Sequence, residues 1–215
     1  MAGYIEILRM PGVARIIAAQ LTARLPAGML SLSVLLHVER VHGSYAAAGL
    51  VLATMSIGHA APGPLASRWV GGWGMRRVLA LTLVVCSTAF VVLALVPLSV
   101  PAMMGVALVA GLSTPPIQPA VRTIYPKIVN SRQLTPLFSL DASAQEIIWV
   151  AGPVLATFVA TQIATSAAIL LCGIMLVIGG IWFIASPEVG RVRIPRSKRN
   201  FGVVLKKPTV LLTTV

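Results

Sequence analysis

Ala167-Ala-Ile-Leu-Leu-Cys-Gly-Ile-Met-Leu-Val-Ile-Gly-Gly-Ile-Trp-Phe-Ile184 runs for eighteen residues without a charge, an amide or a hydroxyl. As a helix it rises about 27 Å, close to the roughly 30 Å thickness of a bilayer's hydrocarbon core. Its apolar residues are continuous rather than alternating, which fits a spanning helix and not a barrel strand. Five further runs of this kind precede it, at 13–38, 45–70, 78–95, 102–121 and 140–163. Of the 215 residues, 57% are hydrophobic and 10% charged. A soluble domain carries about 25% charged residues, so this chain has too little polar surface to cover a water-soluble globule. A soluble enzyme, a secreted disulfide scaffold and a disordered segment are excluded. The expected fold class is an all-α membrane protein with six transmembrane helices. The first run is too long for a signal-peptide core and lacks its small-residue cleavage pattern.

The net charge of +12 is distributed unevenly around these runs. Arg9, Arg15, Arg68, Arg76, Arg77, Arg122, Lys127, Arg132 and the seven cations from Arg191 to Lys207 fall on one side, fifteen in all. The other side holds Arg40 alone, and Arg24 lies inside the first run. Loops rich in Lys and Arg stay in the cytoplasm, so both chain ends are expected there, in a multi-pass protein of the plasma membrane. The stretch Arg191–Lys207 contains one aromatic residue, Phe201, and so lacks the stacking platform that nucleic acid requires. It reads as a loop held near anionic headgroups, and the expected partner is the lipid bilayer, with no nucleic acid.

Polar groups inside the runs need a reason to be there, because burying a charge in lipid is costly. Gln20, Arg24 and Ser31 fall within about 40° of one another on a helix and should face the bundle interior or a wet cavity. Arg24 reads either as a substrate or coupling group or as a structural cation holding backbone carbonyls. Asp141 and Glu146 are the two acids that fall inside the runs. Asp141, Gln145 and Trp149 share one face by their i, i+4, i+8 spacing, with Glu146 about 100° round from Gln145. Asp141 sits where the fifth run begins and reads as an acid favoured by a helix start, or as a proton site. Glu146, further in, is expected to pair with Arg24 as the central charge pair. Trp149 either stacks on a substrate or packs. His37 and His42 bracket the outer loop, His59 inside the second run reads as a titrating group or a packing residue, and the lone Cys86 and Cys172 read as packing residues. Pro26, Pro115, Pro116, Pro119 and Pro153 interrupt the runs and free carbonyls that must face protein or water. No catalytic motif, nucleotide-binding loop or metal-ligand cluster is present in the sequence, so no cofactor, no metal and no enzymatic activity are expected.

Tyr4-Ile-Glu-Ile-Leu8-Arg9-Met10-Pro11-Gly12-Val13 is echoed by Phe201-Gly-Val-Val-Leu205-Lys206-Lys207-Pro208-Thr209-Val210, 197 residues later. The expected organisation is a six-helix bundle over 1–186, a basic cytoplasmic loop over 187–207, and the start of a second half over 208–215. This plan resembles the amino-terminal half of a Major Facilitator Superfamily transporter of bacterial type. Between the second and third runs that family carries G-x-x-x-D-R-x-G-x-R-R. Here Gly74, Arg76 and Arg77 match it, while Ser67, Gly71 and Gly72 replace the first Gly, the Asp and the Arg. Arg24-Leu-Pro26-Ala-Gly28-Met29, Gly111-Leu-Ser-Thr-Pro115-Pro116 and Gln145-Glu146-Ile-Ile-Trp149-Val-Ala-Gly152-Pro153 are similar to other segments of the family.

The resemblance implies a secondary transporter of small molecules, ion-coupled or facilitative. Gly74, Arg76 and Arg77 would form its gating loop, and a second six-helix half, or a second copy as a homodimer, would be its partner. Arg24, Glu146, Gln145, Trp149, Gln20 and Asp141 are the candidate substrate-binding or coupling residues. The alternative is a non-transporting, degenerate six-helix scaffold that also needs a partner half.

Overall fold

The computed structural model describes residues 9, 10, 12–61 and 72–191, and within them every regular element is a helix. In chain order these are α1 (Val13–His42), α2 (Tyr45–Ala60), α3 (Met75–Leu95), α4 (Val100–Leu112), α5 (Ile117–Ile128), α6 (Ser131–Gln162), α7 (Thr165–Ala185) and a short α8 (Pro187–Arg191). Five segments are long and apolar enough to cross a membrane: α1, α3, α4 with α5 taken together, α6 and α7. Six were expected from the sequence. The second, α2, has 16 described residues, and its expected continuation to position 70, like the calls on 62–71 and 192–215, lies outside the described residues.

Each boundary has a local cause. α1 opens after Gly12, whose φ of 84° places it in the left-handed region, where Gly carries no Cβ penalty. α1 runs four residues past its expected end because the next breaker is Gly43, at φ 64°, whose N–H closes the helix on Glu39 O at 2.7 Å. The fourth run is two helices rather than one. Pro115 and Pro116 lack N–H donors, so the chain breaks between Leu112 and Ile117. Ser113 Oγ (3.3 Å) and Thr114 Oγ1 (3.2 Å) both donate to Ala110 O, a carbonyl that the break leaves without a backbone donor.

α6 begins nine residues before the expected start at 140. Asn130 and Gln133 form a reciprocal capping box, with Asn130 N–H donating to Gln133 Oε1 at 3.3 Å.

α1 is the central helix: it packs on α7, α6 and α2, while α3 joins α7 and α2 packs on α4. Two hydrophobic clusters stack along it. One gathers the first turns of α1 and α3, the inner face of α5 and the end of α7 around Tyr125 and Phe183. The other joins the second half of α1 to α2, α4 and the facing parts of α3 and α7 around Met29, Phe90 and Met103. Cys86 and Cys172 are free thiols buried in that second cluster, as expected of packing residues.

α1 and α6 approach backbone to backbone where Gly28 meets Gly152. A Cβ added to Gly152 would lie 2.5 Å from the Gly28 carbonyl carbon, so neither position has room for a side chain.

Candidate functional site

Among the described residues, a buried polar cluster lies between α1, α5 and α6. Gln20 and Arg24, one helical turn apart on α1, face the same way. Asp141 and Gln145 do the same on α6. Arg24 Nη1 donates to Asp141 Oδ1 and Oδ2 at 3.0 and 3.2 Å and to Gln20 Oε1 at 2.7 Å. Arg24 Nη2 donates to Gln145 Oε1. Gln20 Nε2 donates to Asp141 Oδ1 at 2.6 Å, and the Tyr125 hydroxyl reaches the same oxygen at 3.4 Å. The ion pair is largely buried, with side-chain exposures of 8% for Arg24 and 13% for Asp141, and Gln20 and Tyr125 are fully buried. Each charge is therefore met by an opposite charge and by neutral dipoles, the condition for tolerating ions in a low-dielectric interior.

Two expectations from the sequence are corrected here. Arg24 pairs with Asp141, not with Glu146. Gln145 turns toward Arg24, and Glu146, one residue on, is carried about 100° away and is exposed. Asp141 does not stand at a helix start, because the capping box moves that start to Ser131 and leaves the acid ten residues inside α6.

Above the pair an open cleft of about 550 Å³ is lined by Arg24, Asp141 and Gln145 at its floor. Its walls carry Gln118 and Arg122 from α5 and Phe138, Ala142 and Glu146 from α6. The structure thus brings Arg24, Gln20, Asp141, Gln145 and Glu146 to one region. Trp149 is 53% exposed on α6 beyond the cleft lining. Tyr125, Arg122 and Phe138 were missed. The strongly amphipathic pattern of α5, which buries Ile117, Val121, Ile124 and Tyr125 and exposes Gln118 and Arg122, was the available signal for the first two.

The expected gating loop sits elsewhere. Gly74, at φ 88°, starts α3 in a conformation suited to glycine. Arg76 Nη2 donates to Ser186 O at 3.1 Å, closing the end of α7. Arg77 is exposed. Nearby, Arg15 pairs with Glu188 at 2.6 Å, fastening α8 to the start of α1. His37 Nδ1 lies 3.1 Å from Thr165 Oγ1, a satisfied packing position. Among the described residues no group of three or more His, Cys, Asp and Glu is arranged to hold a metal ion.

No curated protein and no solved structure matches the chain significantly. A family model does, that of the Major Facilitator Superfamily, over residues 16–215. With several helices apolar enough to span a bilayer, this match identifies the chain as a membrane protein of the Major Facilitator Superfamily, a family of transporters.

Proposed function

We propose that the chain acts as the amino-terminal six-helix half of a secondary transporter, moving a small molecule across the plasma membrane with both ends of the bundle in the cytoplasm. The cleft between α1, α5 and α6 is its half of the transport path, completed by a second six-helix unit or a second copy of the chain. The Arg24–Asp141 pair is the coupling element. A buried ion pair contributes little net stability compared with apolar side chains of the same volume, so stability alone does not account for it. Protonating Asp141, or setting a ligand anion against Arg24, frees one partner and changes how α6 is tied to α1. Only such a difference in interaction between two states can couple a ligand to a conformational change.

The observation that carries this reading is the pair itself: an arginine and an aspartate from different helices, largely buried, mutually satisfied and lining the floor of an open cleft. The test is solute profiling by mass spectrometry of cells producing the protein or its Asp141→Asn variant at equal membrane levels. The expected result is at least one solute whose distribution across the membrane depends on the unsubstituted protein and reverts with Asp141→Asn. Identical profiles for the protein, the variant and empty cells would favour the non-transporting scaffold.

A further inference from the structure

The floor of the cleft is electrically settled, because Arg24 and Asp141 neutralise each other. Its walls are not. Among the described residues, Arg122 on α5 and Glu146 on α6 are exposed and have no ion-pair partner within 4 Å. They do not meet each other, and the topology gives the reason. α5 and α6 are joined by Val129 and Asn130 alone, and Glu146 stands nine residues further along its helix from that link than Arg122 does along its own. At 1.5 Å per residue that is a difference of about 14 Å in distance from the link.

Taking Asp141 as zero, Gln145, Phe138, Trp149, Ala142 and Glu146 follow round α6 at about 40°, 60°, 80°, 100° and 140°. One face of α6 therefore presents to the cleft a carboxylate, a dip at Ala142 and the exposed ring of Phe138, with Trp149 just beyond the lining. The opposite wall offers the Gln118 amide and the Arg122 guanidinium.

We propose that this cleft takes a dipolar organic solute. Its cationic group sits at Glu146, its apolar or aromatic body lies over Ala142, and its anionic group meets Arg122. The inference rests on the transport reading and adds a substrate class to it. A singly charged ligand answers one wall charge and leaves the other desolvated without a partner, whereas a zwitterion answers both. A zwitterion also brings no net charge into the membrane interior. The exposed ring of Phe138, in the cleft wall, suits the face of an aromatic body or the edge of its ammonium group.

The test uses the full chain in phosphatidylcholine nanodiscs and three probes of one shape: 4-(aminomethyl)benzoate, benzylamine and benzoate. Binding is read by tryptophan fluorescence, with Trp149→Phe as the local control, and by the melting midpoint. The zwitterion is expected to bind about tenfold or more tightly than either singly charged probe. Glu146→Gln brings it down to the level of benzoate, and Arg122→Gln to that of benzylamine. The charge-retaining variants Glu146→Asp and Arg122→Lys keep the preference, which reads the proposal even if a neutral variant fails to fold.

Benzylamine or benzoate binding as tightly as the zwitterion, a preference that survives both neutral substitutions, or no binding by any probe would overturn the proposal. A solute profile that still depends on Asp141 would then leave transport standing with another substrate class. An intact dipolar preference without any such profile would remove transport and keep the ligand.

Discussion

Asp141 gathers donors from Arg24, Gln20 and Tyr125, and the three do not weigh equally. The Tyr125 hydroxyl is the most distant at 3.4 Å, so Tyr125→Phe is expected to cost about 1 kcal/mol or less. Gln20 is at once donor to Asp141 and acceptor from Arg24, with no exposure to water. Gln20→Leu leaves both ions short of a partner and should cost about 1–3 kcal/mol. Thermal or denaturant unfolding in one detergent ranks the two, and a larger loss for Tyr125→Phe would contradict the assigned geometry. At this scale the sequence was a good guide to which residues are buried polar and a poor one to who pairs with whom. Arg24, Gln20, Asp141 and Gln145 stood out as polar groups in apolar runs. Choosing between Asp141 and Glu146 required the rotation of α6 about its axis, which is fixed by its packing on α1 and cannot be read from spacing within α6 alone.

That rotation is set by the crossing of α1 and α6 at Gly28 and Gly152, where no Cβ fits. Gly152→Ala gains roughly 1 kcal/mol of helix propensity but places its methyl group 2.5 Å from the backbone of α1. The clash wins, because backbone cannot give as a flexible side chain can. Net destabilisation is the expected outcome, together with weaker coupling between Arg24 and Asp141, whereas a stabilised Gly152→Ala protein would show that α6 does not sit there. The other end of α6 offers a milder test. Asn130→Ala removes the capping box and should cost about 1 kcal/mol. The Asn-x-x-Gln pattern of that box was present in the sequence, but the apolar run, which begins only at Leu140, drew the boundary inward. The break between α4 and α5 was foreshadowed by Pro115 and Pro116, since proline acts through its own covalent geometry and needs no tertiary context.

For the molecule as a whole, composition alone determined the class, because a chain with 10% charged residues cannot cover itself in water. Orientation rests on the distribution of Lys and Arg. Replacing both Arg76 and Arg77 with Glu should lower the amount inserted in the membrane, both by reversing local topogenic charge and by uncapping α7 at Ser186. Unchanged membrane yield would contradict that expectation. The face of α6 that carries Ile147, Val150, Val154 and Phe158 is exposed, and in the transport reading it meets lipid or the partner half.

The central claim is that Arg24 and Asp141 form the working pair and that Glu146 stands free for a ligand. A double-mutant cycle tests it most directly, with Arg24→Met, Asp141→Asn and Glu146→Gln made singly and in pairs and unfolding free energy as the readout. Arg24→Met and Asp141→Asn are each predicted to cost roughly 3–5 kcal/mol, with the double variant losing clearly less than their sum. Glu146→Gln is predicted to stay within about 0.5 kcal/mol and to add to Arg24→Met without coupling. Additive losses for Arg24 with Asp141, alongside strong coupling of Arg24 with Glu146, would contradict the account at its base.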